Sequence, residues 1–137
     1  MVDTERASQF LRDHHRAVLA TTRSDGRPQL SPNTIGVDDE GFAVVSSRET
    51  AYKVRNLRRD ARVSVCVLND GFFGSFVQIE GTATIVSLPE AMEGLVEYYR
   101  RVAGEHPDWD EYRAAMERER RVLLRITLDR VGPTRSG

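Results

Sequence analysis

Cysteine, lysine and aromatic residues are all scarce in this chain. The single cysteine, Cys66, excludes a disulfide within the chain, and the three histidines lack the spacing of a metal site. No apolar run approaches the roughly 20 residues that a membrane-spanning helix needs. Aromatic residues are 7% of the sequence and no recognised DNA- or RNA-binding motif is present. The sequence therefore argues against a metal, membrane or nucleic-acid function.

The overall composition is that of an ordinary globular protein. Of the 137 residues, 30% are charged and 39% hydrophobic, and the formal net charge is -1. We expect a single domain over residues 1–137, because this length is enough for one hydrophobic core. The first ten residues, MVDTERASQF, are acidic and polar and do not resemble a signal peptide. With one cysteine, the expected location is the cytoplasm.

Hydrophobic periodicity predicts six strands and four helices. The predicted strands are 17–22, 28–37, 42–47, 61–68, 75–87 and 121–131. The predicted helices are 3–13, 49–59, 89–103 and about 108–118, followed by a loose tail, PTRSG. Pro28 and Pro32 indicate an edge strand or a bulge, and Gly81 indicates a bulge. Mostly antiparallel strands with one inserted helix and two later ones predict a mainly β, α+β fold built on a small closed or partly closed barrel.

The positive charge is concentrated in one segment, SSRETAYKVRNLRRDARVSV (46–65). It carries six cations: Arg48, Lys53, Arg55, Arg58, Arg59 and Arg62. Lys53 is the only lysine of the chain. Hydroxyl groups at the start of the predicted helix, its free amides and a lysine one turn in would suit a phosphate. The alternative is a capping box of Ser46 and Glu49 followed by a solvated basic face, and the residues alone leave both readings open.

Four segments together resemble one family. They are GRPQLS (26–31), AYKVRNLRRDARVSV (51–65), EGTATIV (80–86) and YYRRVAGEHPDWDEYRAAMERERRVLLRI (98–126). The resemblance is to the split β-barrel flavin and deazaflavin proteins related to pyridoxamine 5'-phosphate oxidase, and within them to the actinobacterial branch that uses coenzyme F-420. It implies a six-stranded, Greek-key-like split barrel that forms a homodimer, with the cofactor in grooves at the subunit interface.

The resemblance also implies positions for the cofactor, F-420 or alternatively FMN. The phosphate would lie by Ser46, Ser47, Thr50 and Lys53, and Arg55, with Arg58 or Arg59, would meet the carboxylates of the F-420 tail. The ring would lie beside the strand containing Leu30, Ser31, Pro32 and Asn33, with Gln78 facing the same site. Relatives often carry an arginine where this chain has Ala51. The consequence is either weaker phosphate binding or replacement of that cation by Arg48.

The implied activity is hydride transfer from reduced F-420 to an electron-poor small molecule, such as an activated double bond or a quinone. In this class the cofactor supplies the chemistry and the protein supplies orientation and electrostatics. Solvent, Tyr52 or an arginine-polarised water are open alternatives as the proton donor. An FMN-dependent oxidase or reductase on the same barrel and a carrier that binds F-420 or FMN without turnover also remain open. Phe72 and Phe73 could line a flat ligand or serve as loop anchors.

Overall fold

An antiparallel sheet dominates the computed structural model, which describes residues 2–132; the predicted tail PTRSG lies outside them. The strands are β1 (Arg16–Thr22), β2 (Pro28–Thr34), β3 (Gly36–Val37), β4 (Ala43–Arg48), β5 (Arg62–Leu68), β6 (Phe76–Val86), β7 (Arg121–Ile126) and β8 (Arg130–Val131). The helices are α1 (Val2–Asp13), α2 (Tyr52–Arg59), α3 (Met92–Ala103) and α4 (Trp109–Arg118). The predicted α+β class, mainly sheet, is confirmed.

The strands curl into a half-barrel in the order β2-β1-β5-β6-β7-β4-β3, with β8 added beside β6. β6 joins the two halves, because residues 76–82 pair with β5 and residues 83–86 pair with β7. The ends of this order, β2 and β3, are separated in the chain only by Ile35, which is fully buried. Two of the six predicted strands are therefore each divided in two, 28–37 into β2 and β3, and 121–131 into β7 and β8.

Alternating side chains on the strands form the main hydrophobic core inside this sheet. Buried and partly exposed residues alternate along β1 and β5, as the two-residue period of a strand requires. α1 adds Ala7 and Leu11 to the same cluster, and α2 adds Val54 and Leu57. Each fully buried Leu or Val side chain contributes roughly 1.5–3 kcal/mol. Both helices are thus held on the barrel by burial of a short apolar face.

A second layer, formed by α3 and α4, packs on the opposite side of β4 and β7. Its core includes Val44 and Leu123 from the strands together with Leu95 and Tyr112 from the helices. The Tyr112 hydroxyl donates to the carbonyl oxygen of Leu95 at 2.8 Å, and burial raises the pKa of Tyr112 to about 12. Within residues 2–132, no helix is long and apolar enough to cross a bilayer.

The edge position predicted for β2 is confirmed, because among residues 2–132 β2 pairs with β1 alone. The bulge predicted at Gly81 is wrong as placed, since the β5–β6 register continues through Gly81 without interruption. One extra residue lies instead on the opposing side, where Ile126 pairs with Ala83 and Arg130 with Glu80. The Thr127 carbonyl there approaches Gly81 so closely that a Cβ would overlap it.

Helix starts were predicted less accurately than strands. α2 begins at Tyr52 with Ala51 as its N-cap and no side-chain cap, so the Ser46–Glu49 capping box is wrong. Both of those residues precede the helix. α3 begins at Met92, three residues after the predicted start at Pro89. The predicted cap of α4 is confirmed, since the Asp108 side chain accepts from the Glu111 amide at 3.1 Å.

Candidate functional site

The six cations of segment 46–65 have different environments in the fold. Three arginines form ion pairs: Arg48 with Glu119 at 3.6 Å, Arg58 with Glu49 at 2.7 Å and Arg62 with Asp60 at 2.7 Å. Arg59 donates to the carbonyl oxygen of Thr22 at 2.6 Å and to Asn56 Oδ1 at 3.1 Å. The three ion pairs neutralise the charges of Arg48, Arg58 and Arg62 within the chain, whereas Arg59 donates to uncharged groups. Because Arg58 is paired with Glu49, it is not free for the predicted contact with the carboxylates of an F-420 tail.

Lys53 and Arg55 differ from Arg48, Arg58 and Arg62, which form ion pairs, and from Arg59, whose guanidinium is hydrogen-bonded to Thr22 and Asn56. Within residues 2–132, neither forms an ion pair with a carboxylate. Lys53 is half-buried, and its pKa is lowered, chiefly by burial and then by the positive charge of Arg121. Arg55 is exposed, and its guanidinium lies 5.6 Å from the centre of the Tyr52 ring. These are the cations left available for a ligand in this segment.

The surroundings of Lys53 are built by the ends of β4 and β7 and by the first turn of α2. Arg121 lies opposite Arg48 in the β4–β7 register and donates to Glu119 Oε1 at 2.8 Å. Glu119 is thereby engaged, and this hydrogen bond lowers the pKa of its carboxyl group. The first-turn amides of Tyr52 and Lys53 have no helical acceptor. A half-buried ammonium, a second cation and free amides form a donor set that fits a phosphate.

Arg55 lies on the other side of α2 from Lys53, because residues two apart on a helix point in nearly opposite directions. It lines a cleft of about 420 Å³. The residues around this cleft are Arg23, Ser24, Gln29, Tyr52, Arg55, Asn56 and Arg59. Three arginines make the cleft strongly positive, although Arg23 also lies 3.3 Å from Asp25.

The predicted hydroxyl ligands are separated by the strand geometry of β4. Ser46 and Ser47 are consecutive strand residues and point to opposite faces of the sheet. Ser47 is buried, and its hydroxyl donates to the carbonyl oxygen of Arg48 at 3.2 Å. Its hydroxyl is therefore unavailable to a ligand in this conformation. Thr50 is exposed in the turn directly before α2, so it is the predicted hydroxyl that accompanies Lys53.

The predicted ring-binding residues of β2 also divide between two faces. Leu30 lies opposite Ala20, and Pro32 lies opposite Val18, in the β1–β2 register. Val18 in turn lies opposite Cys66 on β5, and Cys66 lies opposite Gln78 on β6. Leu30, Pro32 and Gln78 therefore share the outer face of the sheet. Ser31 and Asn33 point the other way, and Asn33 Nδ2 donates to the Ser31 hydroxyl at 3.1 Å.

Arg121 and Arg23 are functional candidates that the sequence did not indicate. Arg121 was only part of a predicted strand. The β4–β7 register, which no local pattern reveals, places it opposite Arg48, and its positive charge contributes to the lowered pKa of Lys53. Arg23 precedes the β1–β2 turn and had no predicted role. Cys66 is half-buried on the outer sheet face, where burial raises the pKa of its thiol.

Phe72 and Phe73 form the tip of the β5–β6 loop and are 61% and 84% exposed. Their rings contact each other edge to face, with centroids 4.8 Å apart. The loop is held from inside by Asn69, whose Nδ2 donates to the carbonyl oxygens of Phe73 and Ser75 at 2.7 Å. The two phenylalanines therefore do not anchor the loop, because the Asn69 side chain does.

Comparison with known proteins agrees with this fold. The family model for pyridoxamine 5'-phosphate oxidase matches residues 3–135. A conserved hypothetical protein of Mycobacterium tuberculosis has 28% sequence identity and a TM-score of 0.76, over 93% of this chain and 81% of its own.

Two further solved structures resemble the chain at lower identity. An F-420 reductase has 20% identity and a TM-score of 0.70, over 91% of this chain and 94% of its own. The heme storage protein HutZ of Vibrio cholerae has 18% identity and a TM-score of 0.72, over 95% and 93%. At these identities the likeness establishes the fold and no activity. Because the family model spans nearly the whole chain, the protein belongs to the split β-barrel family of pyridoxamine 5'-phosphate oxidase, whose fold binds flavin or deazaflavin cofactors.

Proposed function

We propose that this protein is an F-420-dependent oxidoreductase that reduces an electron-poor small molecule, such as an activated double bond or a quinone. The observation that carries the proposal is the half-buried, unpaired ammonium of Lys53 at the first turn of α2, beside Arg121. Burial of a cation without a counter-charge is unfavourable, and a bound phosphate would relieve it. Membership of a flavin- and deazaflavin-binding family and the structural likeness to an F-420 reductase support this assignment.

The residues that would hold the cofactor follow from the environment of α2. Thr50, Lys53 and the first-turn amides would take the phosphate. Arg55 and Arg23, across α2, would take carboxylates of the oligoglutamate tail. When bound, F-420 supplies the hydride, and the protein contributes orientation and a positive environment. The outer-face residues Leu30, Pro32 and Gln78 would position the ring.

The arginine cleft favours F-420 over FMN. FMN needs only the phosphate contacts at Lys53 and would leave Arg55 without an anionic partner, whereas Arg23 already lies 3.3 Å from Asp25. F-420 carries several carboxylates beyond its phosphodiester, and carboxylates are the preferred partners of the guanidinium fork. An FMN-dependent oxidase or reductase is therefore the second candidate, supported by the phosphate site alone.

A second copy of the chain is part of the proposal. The outer face of β1, β5 and β6 carries half-buried side chains, and on the neighbouring β2 the outer-face residues are exposed, with Leu30 62% exposed. The predicted ring-binding residues lie on this face, whereas Lys53 lies at the end of the barrel. A homodimer that packs through this face would cover Leu30 and bring a second set of residues to the cofactor.

The test is a pair of titrations of cofactor-free protein, one with F-420 and one with FMN, followed by cofactor fluorescence. We expect tighter binding of F-420, and Arg55→Ala should weaken F-420 binding more than FMN binding. Arg113→Ala is the control, because Arg113 pairs with Glu93 on α3. Equal losses for both cofactors would contradict the tail contact. Tight FMN binding with weak F-420 binding would replace the main proposal by the second candidate.

Binding and turnover need separate measurements. Protein that binds F-420 should oxidise the reduced cofactor when a quinone or an activated alkene is added. Tight binding without oxidation by any acceptor of either class would identify a carrier instead of an enzyme.

A further inference from the structure

Lys53 has a second way to relieve its unfavourable environment, which is loss of its charge. The side chain is half-buried beside Arg121, and no carboxylate in residues 2–132 pairs with it. Glu49, just before α2, and Glu119, beside β7, are already engaged, by Arg58 at 2.7 Å and by Arg121 at 2.8 Å. The ammonium can therefore be stabilised by an external anion or replaced by a neutral nitrogen.

The same surroundings attract anions to this nitrogen. Arg48 and Arg121 lie opposite each other at the ends of β4 and β7, and they share a single carboxylate, Glu119, at 3.6 and 2.8 Å. The first turn of α2 adds free amides and the positive end of the helix. Lys53 is thus an amine within a net positive, anion-attracting surface.

We propose that Lys53 is a site of acylation by anionic acyl donors of the acyl phosphate class. In this step the unprotonated amine attacks the acyl carbon, a C–N bond forms, and the C–O bond to the phosphate breaks with its electron pair. Phosphate leaves and the nitrogen gives one proton to solvent, so that a neutral amide replaces the ammonium. No oxidant or reductant is required.

The chemistry of the amine supports this assignment. Only the unprotonated form is nucleophilic, and the lowered pKa increases its share at neutral pH. Because Lys53 is the only lysine, the modification can compete with reaction at the terminal α-amino group alone. Acylation removes the charge that the proposed phosphate contact needs. This regulatory consequence, in contrast to the acylation itself, rests on the proposed function.

The test is treatment of the full-length, cofactor-free protein with acetyl phosphate, with site-resolved mass spectrometry over time. Acetylation of Lys53 should be severalfold faster in the native protein than in the same chain unfolded in guanidinium chloride. This comparison uses one lysine in two environments and needs no variant. A rate in the native protein equal to or below that in the unfolded chain would overturn the proposal.

A pair of variants tests the role of the neighbouring cation. Arg121→Gln should slow acetylation of Lys53 severalfold, because it removes a charge that favours the neutral amine and attracts the anion. Arg125→Gln, on the same strand but paired with Asp38 and Glu40, should leave the rate unchanged. Circular dichroism establishes that both variants are folded. Equal rates in both variants would show that the reactivity does not arise from Arg121, contrary to the proposal.

Protection by ligands separates this inference from the proposed function. F-420 or FMN added before acetyl phosphate should slow acetylation of Lys53 if either binds there. Fast native acetylation without protection would support the modification site and contradict the cofactor site. Slow acetylation of native Lys53, together with loss of cofactor binding in Lys53→Ala, would support the cofactor site and contradict the modification site.

Discussion

Gly81 shows how a single residue position is fixed by contacts distant in sequence. A Cβ at this position would overlap the carbonyl oxygen of Thr127, and this oxygen belongs to the backbone that turns from β7 into β8. The backbone is held in place on both sides, because Thr127 and Asp129 amides donate to the carbonyl oxygens of Thr82 and Glu80 at 3.0 Å. Only glycine allows this close approach without moving the strands.

We therefore predict that Gly81→Ala lowers the free energy of unfolding by about 1–3 kcal/mol or more, the range of overpacked sites. Urea unfolding followed by circular dichroism measures it. Gly94→Ala in α3 is the matched control, because its Cβ would meet only the flexible end of Leu123 at 2.6 Å. Alanine also favours the helix by about 0.8–1.0 kcal/mol. Equal losses in the two variants would contradict the account of Gly81.

The cations show the limit of residue-level prediction from sequence. Lys53 could be singled out because it is the only lysine, and Arg55 because it follows two residues later. Nothing local separates them from Arg58, whose partner Glu49 lies nine residues earlier, before the helix. Arg121 could not be predicted for the same reason, since it is strand pairing that places it opposite Arg48. Which charges are free depends on tertiary contacts.

Among the elements, the strands were predicted well because alternation is a local signal. The divisions of strands 28–37 and 121–131 were missed because they arise where the sheet curls, at Ile35 and at residues 127–129. The start of α2 was placed at residue 49, three residues too early, because periodicity does not mark the first residue of a helix and Ala51, the N-cap, has no side chain that caps it. Asp108 was predicted correctly, since a cap and its helix are adjacent in sequence.

The α3–α4 layer gives a prediction about alkaline pH. Burial raises the pKa of Tyr112 to about 12 from an ordinary value of 10.0. Between these values the unfolded chain loses the phenol proton while the folded chain keeps it, so stability falls as the pH rises through this window. Tyr112→Phe should reduce this pH dependence, although it also removes the hydrogen bond to Leu95.

Urea unfolding at several pH values across this window measures the slope for each protein. Tyr52→Phe serves as the control at an exposed tyrosine and should keep the wild-type slope. An identical slope in Tyr112→Phe and wild type would contradict the assignment.

The proposed cofactor site includes residues of a second copy of the chain. We predict that the protein sediments as a dimer and that Ala20→Arg, which places a charge opposite Leu30 on the outer sheet face, shifts it to a monomer. Cofactor binding should weaken in parallel. Gln9→Arg, on the exposed face of α1, should remain dimeric. If Ala20→Arg remains a dimer and binds the cofactor as wild type does, the dimer interface does not lie on this outer sheet face.

The phosphate site at α2 is tested by the affinity of Lys53→Ala for F-420, measured beside wild type and Arg113→Ala. Arg113 pairs with Glu93 on α3 and should bind as wild type. Loss of a charge-assisted hydrogen bond predicts that Lys53→Ala loses about 1.5–3 kcal/mol of binding free energy. Its affinity for F-420 should therefore be roughly tenfold to a hundredfold weaker. An unchanged affinity in a folded Lys53→Ala protein would show that Lys53 does not bind the phosphate, and it would contradict the proposed function.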